Sequence, residues 1–397
     1  MRVALLTREY PPEVYGGAGV HVEYLGRELS SRVDLSVHCF GKARNKPEVA
    51  GAYEFWDELS RDGAHMPALR TLAVNLQMVS ALEGANLAHT HTWYANFAGH
   101  LAKLIYGIPH VMTSHSLEPL RPWKEEQLGG GYRVSKFVEK TAIDHADAII
   151  AVSAGMRADI LHAYPEVQPD KVHVIYNGID TSEYSPVDGR AALAAQGLDP
   201  DRPTAIFVGR ITRQKGVVHL LEAAAHMHPD VQLLLCAGAP DTPEIALEVA
   251  GLVEALQRKR AGIVWVQDML PRPEVVALLS AASVFVCPSI YEPFGIVNVE
   301  AMGCGTAVVA SAVGGIPEIV VEGETGRLIH FGRDQAGNPL DREKFARDLA
   351  KAVCEVALNP EVARRMGEAG RQRAVDHFSW SSIADETVAL YRSLIRD

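Results

Sequence analysis

Two glutamates eight residues apart, Glu292 and Glu300, frame the stretch of this chain best equipped for chemistry. The apolar run Ala282–Val286 precedes them and reads as a buried strand, and Pro293, Phe294, Gly295, Ile296 and Val297 stand between them. On one continuous helix the pair would be roughly 80° apart around the axis and about 12 Å apart along it. Pro293 and Gly295 break that helix, so Glu292 is expected in a loop and Glu300 in the first turns of the helix that follows. Both carboxylates can then line one cleft. A helix N-terminus offers unpaired N–H groups and partial positive charge to a phosphate, and a carboxylate nearby can accept two hydrogen bonds from a diol such as a ribose. The arrangement suits a nucleotide-sugar, although a spacing of eight alone is as compatible with a dipole-complementing Glu300 and a solvated Glu292.

Cations stand at a second strand-to-helix junction, Gly209-Arg-Ile-Thr-Arg-Gln-Lys-Gly216, where Arg210 and Lys215 flank a short loop. A forked guanidinium and a point-charge ammonium there can converge on a diphosphate; a basic surface loop is the alternative. A third junction, Arg8-Glu-Tyr-Pro-Pro-Glu-Val-Tyr-Gly-Gly-Ala-Gly-Val-His21, puts Gly16, Gly17 and Gly19 between a strand and a helix, where main-chain N–H groups can approach a phosphate or simply turn tightly.

The elements that must position these residues alternate. Arg2–Thr7, Val33–Phe40, Leu87–Thr92, His110–Ser114 and Ala148–Val152 read as strands, with helical patterns to about Ser30, over Tyr94–Tyr106 and over Tyr132–His145. Such alternation predicts a doubly wound parallel sheet, whose ligands lie beyond the carboxyl ends of the strands. That rule draws attention to His89-Thr-His-Thr-Trp-Tyr94 and to His115, for which a strand-end carbonyl hydrogen bond is the plainer role. A polar, proline-bearing stretch between Asp180 and Pro203 reads as a linker. Strands at Ala205–Val208, Gln232–Ala237, Ile263–Val266, Val284–Cys287 and Ala307–Ala310 then build a second α/β domain, and Trp380 opens a last helix. The expected division is residues 1–185, 186–378 and a C-terminal helix over 379–397.

At 397 residues the chain is long enough for two domains, and its composition, 48% hydrophobic and 22% charged, is that of an ordinary globular enzyme. A net charge of −11 argues against general nucleic-acid or anionic-membrane binding. Five scattered cysteines without a C-x-x-C pair suit reduced thiols rather than a disulfide framework or zinc site. With no signal-like N-terminus, a cytoplasmic location is expected.

With Cys-Pro-Ser289 before Glu292 and Glu-Ala-Met-Gly303 starting at Glu300, these motifs resemble the signature of the retaining glycosyltransferases of family 4, in the GT-B superfamily. The resemblance runs nearly the whole length, through the Gly-Gly loop, His115, Asn177-Gly-Ile-Asp180, Arg210 and Lys215, and the two glutamates. It implies an α/β GT-B fold, two Rossmann-like doubly wound parallel-sheet domains facing across a cleft, with the last helix crossing back to the first domain. It implies catalytic roles for His115, Arg210, Lys215 and Glu292, with His115 facing the transferred sugar. It implies donor contacts from Gly16, Gly17, Arg210, Lys215, Phe294, Gly295, Ile296, Val297 and Glu300. Acceptor contacts are expected from Arg8, Glu9, Tyr94, Arg121 and Lys124, the last two in the glycine-rich loop Arg121–Tyr132. Cations in place of a metal are expected to stabilise the leaving diphosphate, so neither a metal site nor a cofactor is expected. Within the family, the N-terminal run and the Ser-Leu-Glu-Pro-Leu-Arg-Pro-Trp-Lys124 loop resemble the short actinobacterial glycogen synthase branch. That branch implies ADP-glucose as donor and glucose 1-phosphate as acceptor, giving α-maltose 1-phosphate, besides α-glucan extension. Thr92 and Val14 depart from bacterial glycogen synthases, which carry aspartate and lysine there. A hexosyltransferase using a UDP or GDP donor, an epimerase of the same architecture and a non-catalytic sensor remain rivals, and a homodimer is left open.

Overall fold

The computed structural model describes every residue except 15, 122, 123, 126–128, 239, 335, 396 and 397. Tyr15 of the glycine-rich junction, Pro122, Trp123 and 126–128 of the Arg121–Tyr132 loop, and Ala239 thus lie outside the described residues. The chain divides into two compact units, Met1–Gly178 with Trp380–Asp397, and Ile179–Ser379.

The first unit is built on seven parallel strands, β1 (Arg2–Thr7), β2 (Asp34–Phe40), β3 (Val49–Tyr53), β4 (Leu87–His91), β5 (His110–Ser114), β6 (Ala148–Ala151) and β7 (Val172–Val174), in the order β3-β2-β1-β4-β5-β6-β7. Because β1 pairs with β2 on one side and β4 on the other, the winding reverses at β1 and β4, and the loops leaving these two strands part there. Ala95, Ala98 and Ala102 of the helix Trp93–Tyr106 are wholly buried beside Ala4, Leu6 and Ala88, small side chains that let helix and sheet approach closely.

Six parallel strands form the second sheet: β8 (Thr204–Arg210), β9 (Gln232–Gly238), β10 (Ile263–Val266), β11 (Val284–Cys287), β12 (Val308–Ser311) and β13 (Gly326–Ile329). Their order, β10-β9-β8-β11-β12-β13, repeats the same winding, with the reversal at β8 and β11. Phe345, Leu349 and Val353, four apart on the helix Arg342–Ala357, pack with Phe207, Leu233, Leu235 and Val286 in its core. Each such side chain contributes about 1.5–3 kcal/mol by burial.

Both sheets therefore agree with the doubly wound α/β expectation. The strands not anticipated, β3, β7 and β13, all lie at sheet edges. Edge strands are short and half solvated, so they lack the continuous apolar run that marks a central parallel strand. The break between units falls after Gly178 and not after Ser185. Ile179 bridges Ser379 and donates to the Phe378 carbonyl at 2.7 Å, while Arg371 donates to the Tyr184 carbonyl at 2.8 Å, tying this segment to the second unit. The last helix, Trp380–Leu394, packs on Gly17–Leu29: the Trp380 ring stacks on Tyr24 at 5.7 Å, and Arg32 meets Asp385 at 2.7 Å.

The interior of the first sheet is unusually rich in imidazole. His89 and His91 on β4, His110 on β5 and His38 on β2 are all buried. Burial penalises the imidazolium, lowering His38 to about 4 and His110 to about 3, and lowering His89 and His91 well below their ordinary value. The unfolded chain takes up protons on these rings below about pH 6.5, whereas the folded one resists until far lower. Stability is thus fully present above about pH 6.5 and is lost as pH falls toward about 4, by up to ~1.4 kcal/mol per pH unit for each ring. The midpoint of urea unfolding is expected to fall steeply between pH 6.5 and 4.5; a midpoint constant over that range would contradict this account.

Candidate functional site

At the reversal of the second sheet, the loops leaving β8 and β11 meet. Arg210 ends β8, its Nη1 3.3 Å from Asp241 Oδ1. Lys215 follows in a turn closed by its N–H donating to Thr212 Oγ1 at 3.1 Å. Gly216 then adopts φ +65° to start the helix Val217–Ala224, and a Cβ there would lie 2.1 Å from the Pro288 carbonyl oxygen, so only glycine lets the two loops come this close. The result is a contact of 2.6 Å between Lys215 Nζ and Glu292 Oε2. Ser289 Oγ donates to the same oxygen at 3.0 Å. The Glu292 carbonyl accepts from Gly315 N–H at 3.0 Å, beside Gly314 with φ +53°, where a Cβ would lie 1.9 Å from that oxygen. Burial works against the Lys215 charge, but Glu292, by its charge and its hydrogen bond, and Cys287 together offset it and hold the ammonium above its ordinary value.

Gly295, at φ +103°, precedes the helix Ile296–Gly303, which carries Glu300. The Glu300 carboxyl is buried, which raises its pKa; a hydrogen bond from Tyr184 and the charges of Arg272 and Lys215 oppose the shift. Ile296 and Val297 are half-buried beside Gly295. The Phe294 ring is fully packed, edge-on to Phe378 at 5.8 Å, so its place in the expected donor set falls to its backbone.

The remaining expected residues lie in the first unit. Gly16 and Gly17 stand at the start of the helix Gly17–Leu29, as a phosphate-facing loop requires. The Gly16 N–H, however, already donates to Glu9 Oε2 at 2.9 Å, so this carboxylate occupies part of the amide cradle assigned to a donor phosphate. Arg8 stacks over the Tyr94 ring at 4.1 Å. Arg121 is turned inward, its Nη1 donating to Ser116 Oγ at 2.9 Å and lying 3.8 Å from Glu118 Oε1, so its guanidinium holds the segment after His115. Glu118 in turn lies against Glu139, whose pKa burial pushes up to about 8. Lys124, half-buried, keeps its place in the loop through its N–H to the Arg121 carbonyl, 2.9 Å.

His115, half-buried after β5, stands in a group that sequence spacing does not reveal. Its Nε2 is 3.0 Å from His91 Nδ1, and its ring packs edge-on to His21 at 4.7 Å. His21 Nδ1 donates to Asn177 Oδ1 at 2.7 Å. Burial lowers His21 to about 4 and His91 and His115 well below the ordinary value, so the three rings are neutral near pH 7. Thr92, next to His91, has φ +63°, an outlier for a β-branched residue that turns the chain into the helix Trp93–Tyr106.

Sequence reading missed His21, Asn177, Ser289 and Tyr184 as participants. Ser289 stood within the quoted motif and Asn177 within Asn-Gly-Ile-Asp180, but only the fold shows what their side chains hold. Asp241, which sequence analysis did not single out, faces Arg210. The chain also contains one Asp-x-Asp triplet, Asp199-Pro-Asp201. It forms a turn, with Asp201 N–H on Asp199 Oδ1 at 3.0 Å and Arg190 on Asp201 at 2.7 Å.

Two family models match: Glycosyltransferase Family 4 over residues 15–183 and Glycosyl transferases group 1 over 190–373. The chain is 54% identical to the alpha-maltose-1-phosphate synthase of Mycolicibacterium smegmatis, over 99% of this chain and all of that one. It is 31% identical to the D-inositol 3-phosphate glycosyltransferase of Mycobacteroides abscessus, over 96% of this chain and 82% of that one. Among solved structures, sucrose-phosphate synthase from Thermosynechococcus elongatus superposes with a TM-score of 0.81 at 27% identity, over 99% of both chains. Among the described residues no helix is long and apolar enough to cross a membrane. With two Rossmann-like sheets of GT-B type and relatives matched from end to end, the chain belongs to the family 4 glycosyltransferases.

Proposed function

We propose that this enzyme is a retaining α-1,4-glucosyltransferase that moves glucose from ADP-glucose to glucose 1-phosphate, giving α-maltose 1-phosphate. The observation that carries the reading is the 54% identity to an alpha-maltose-1-phosphate synthase over 99% of this chain. The name of the more distant relative also points to a phosphorylated small molecule, D-inositol 3-phosphate, which favours a phosphorylated acceptor over a polymer. Extension of α-glucan in glycogen synthesis is the second activity to examine. The reading includes a cytoplasmic location, with which five free thiols are compatible.

In this reading Lys215 and Arg210 meet the diphosphate, Glu300 takes the ribose diol, and Glu292 takes hydroxyls of the donor sugar. The Gly295-Ile296-Val297 main chain and the Gly16-Gly17 loop give the donor further amide contacts, with Glu9 yielding the Gly16 amide. Arg8 stacked on Tyr94, together with Lys124, serves the acceptor. The glucose C1–O bond to the diphosphate breaks, and a C1–O bond to the acceptor hydroxyl forms on the same face. The acceptor proton passes to the departing diphosphate oxygen, which makes a separate base unnecessary. Charge accumulates on that diphosphate in the transition state, where cations fixed in advance are worth most. Neutral His115 faces the sugar without adding positive charge beside the developing oxocarbenium. The reaction as written needs no metal.

ADP release should be fast with ADP-glucose and glucose 1-phosphate, and mass spectrometry should identify maltose 1-phosphate. Preference for glycogen would make the enzyme a polymer-elongating synthase, and no turnover with either acceptor would overturn the donor assignment. Lys215→Ala should lower kcat by about 10²–10³-fold with little change in donor KM, as expected for loss of one aimed charge. Glu300→Ala should instead raise donor KM by roughly 10–100-fold, the value of hydrogen bonds to a charged group. Unchanged kinetics in both variants would remove these assignments.

A further inference from the structure

His21, His91 and His115 each present one ring nitrogen within 4.8 Å of the other two. We infer that these three imidazoles form a binding site for a divalent first-row transition ion, zinc foremost, whose occupancy blocks the enzyme. The ion is an inhibitor and takes no part in the reaction.

Four features of the first unit support the site. His21 donates Nδ1–H to Asn177 Oδ1 at 2.7 Å, which leaves the Nε2 lone pair as its available ligand atom. Metal-bound histidines are held in this way, the other ring nitrogen donating to an oxygen that sets tautomer and orientation. His21 Nε2 is itself buried and has no hydrogen-bond partner. A buried polar atom without a partner is costly, and an ion bound there would relieve that cost.

His91 and His115 are already joined by an N···N contact of 3.0 Å. Ligand nitrogens at ~2.0–2.1 Å from tetrahedral zinc lie about 3.3 Å apart, so the ion can replace that hydrogen bond with little spreading. One of these two rings donates its N–H in that contact, so on binding it shifts that proton to its nitrogen turned away from the ion, and no net charge is lost or gained by the rings. The three ligand atoms lie within 4.8 Å of one another, and His115, the half-buried member, is the ring with most room to turn toward the ion.

The neighbouring His89 shows why the set is three and not four. Its ring is 4.3 Å from that of His91, but both its nitrogens are engaged, Nδ1 with Tyr391 OH at 2.6 Å and Nε2 with Thr113 Oγ1 at 2.7 Å. Three imidazoles and one open position suit zinc, cobalt, nickel or copper and not magnesium or calcium. Among the described residues no other group of histidines, cysteines or carboxylates meets this spacing. Inhibition rests on the proposed role of His115 at the donor sugar; binding does not.

The test uses the chelator-treated, full-length protein without substrate, titrated with Co²⁺. One Co²⁺ per chain with the strong visible bands of a tetrahedral site is expected, and Zn²⁺ should bleach them. His115→Ala should abolish the bands, and Asn177→Ala, which removes only the oxygen behind His21, should weaken binding about 10–100-fold. Both positions are checked for folding by circular dichroism. Wild-type protein without visible bands, or bands unaltered in either folded variant, would overturn the site. Because the spectrum is read without donor or acceptor, its outcome is independent of whether ADP-glucose is the substrate.

Discussion

Lys215 and Glu292, 2.6 Å apart, are the contact on which the second unit's chemistry depends. Each is a charge largely withdrawn from water, and removing one member of such a pair costs about 3–5 kcal/mol because its partner is left uncompensated. The pair therefore has to be assembled whole. Gly216 against the Pro288 carbonyl, Gly314 against the Glu292 carbonyl, and Ser289 on the Glu292 carboxylate all work to that end. In the proposed reaction, a donor diphosphate arriving there would meet an ammonium already in place, neutralised by a carboxylate free to turn to sugar hydroxyls.

The two sheets share one winding and differ in what they carry. At the β8/β11 reversal the groups are ionic: Arg210 with Asp241, Lys215 with Glu292. At the carboxyl ends of β4 and β5 they are imidazoles, buried and neutral, with the Glu9 carboxylate on the helix start that follows β1. The proposed transfer would build negative charge on a leaving diphosphate and positive charge on a sugar ring, and each unit taken by itself carries groups suited to one of the two. Cations belong near the first, and neutral polar groups near the second.

Unpartnered nitrogens are uncommon in protein interiors, and the first unit leaves several on histidine rings, at His21, His91, His100 and His110. His21 and His91 stand beside His115, whereas His100 lies on the helix Trp93–Tyr106 and His110 begins β5. Polar interiors of this kind specify geometry closely but are costly when the charge state changes. The same burial that keeps the rings neutral makes the first unit sensitive to acid.

Much of this protein was legible from residue order. Continuous apolar runs such as Ala205–Val208 and Val284–Cys287 identified the central strands, because a strand buried on both faces needs no alternation. Glycines and prolines marked the loops after them, which is why Arg210, Lys215 and Glu292 could be placed at strand ends, and Glu300 in the helix that follows, from residue order alone. The edge strands β3, β7 and β13 escaped because half-solvated backbone imposes no such run, whereas β10 at the other edge carries its own, Ile263–Val266. Side-chain partnerships also escaped: that Arg121 turns inward to Ser116, that Asp241 answers Arg210, and that Glu9 caps Gly16 depends on contacts within the folded units that no local pattern encodes. The histidine group is the clearest case. Positions 21, 91 and 115 have no common spacing, and they meet only because β1, β4 and β5 lie side by side in a parallel sheet whose carboxyl ends all point the same way. Sequence alone determined the winding and the residues that could do chemistry; the tertiary structure decided which of them touch, because parallel crossovers bring together strand ends that are far apart along the chain.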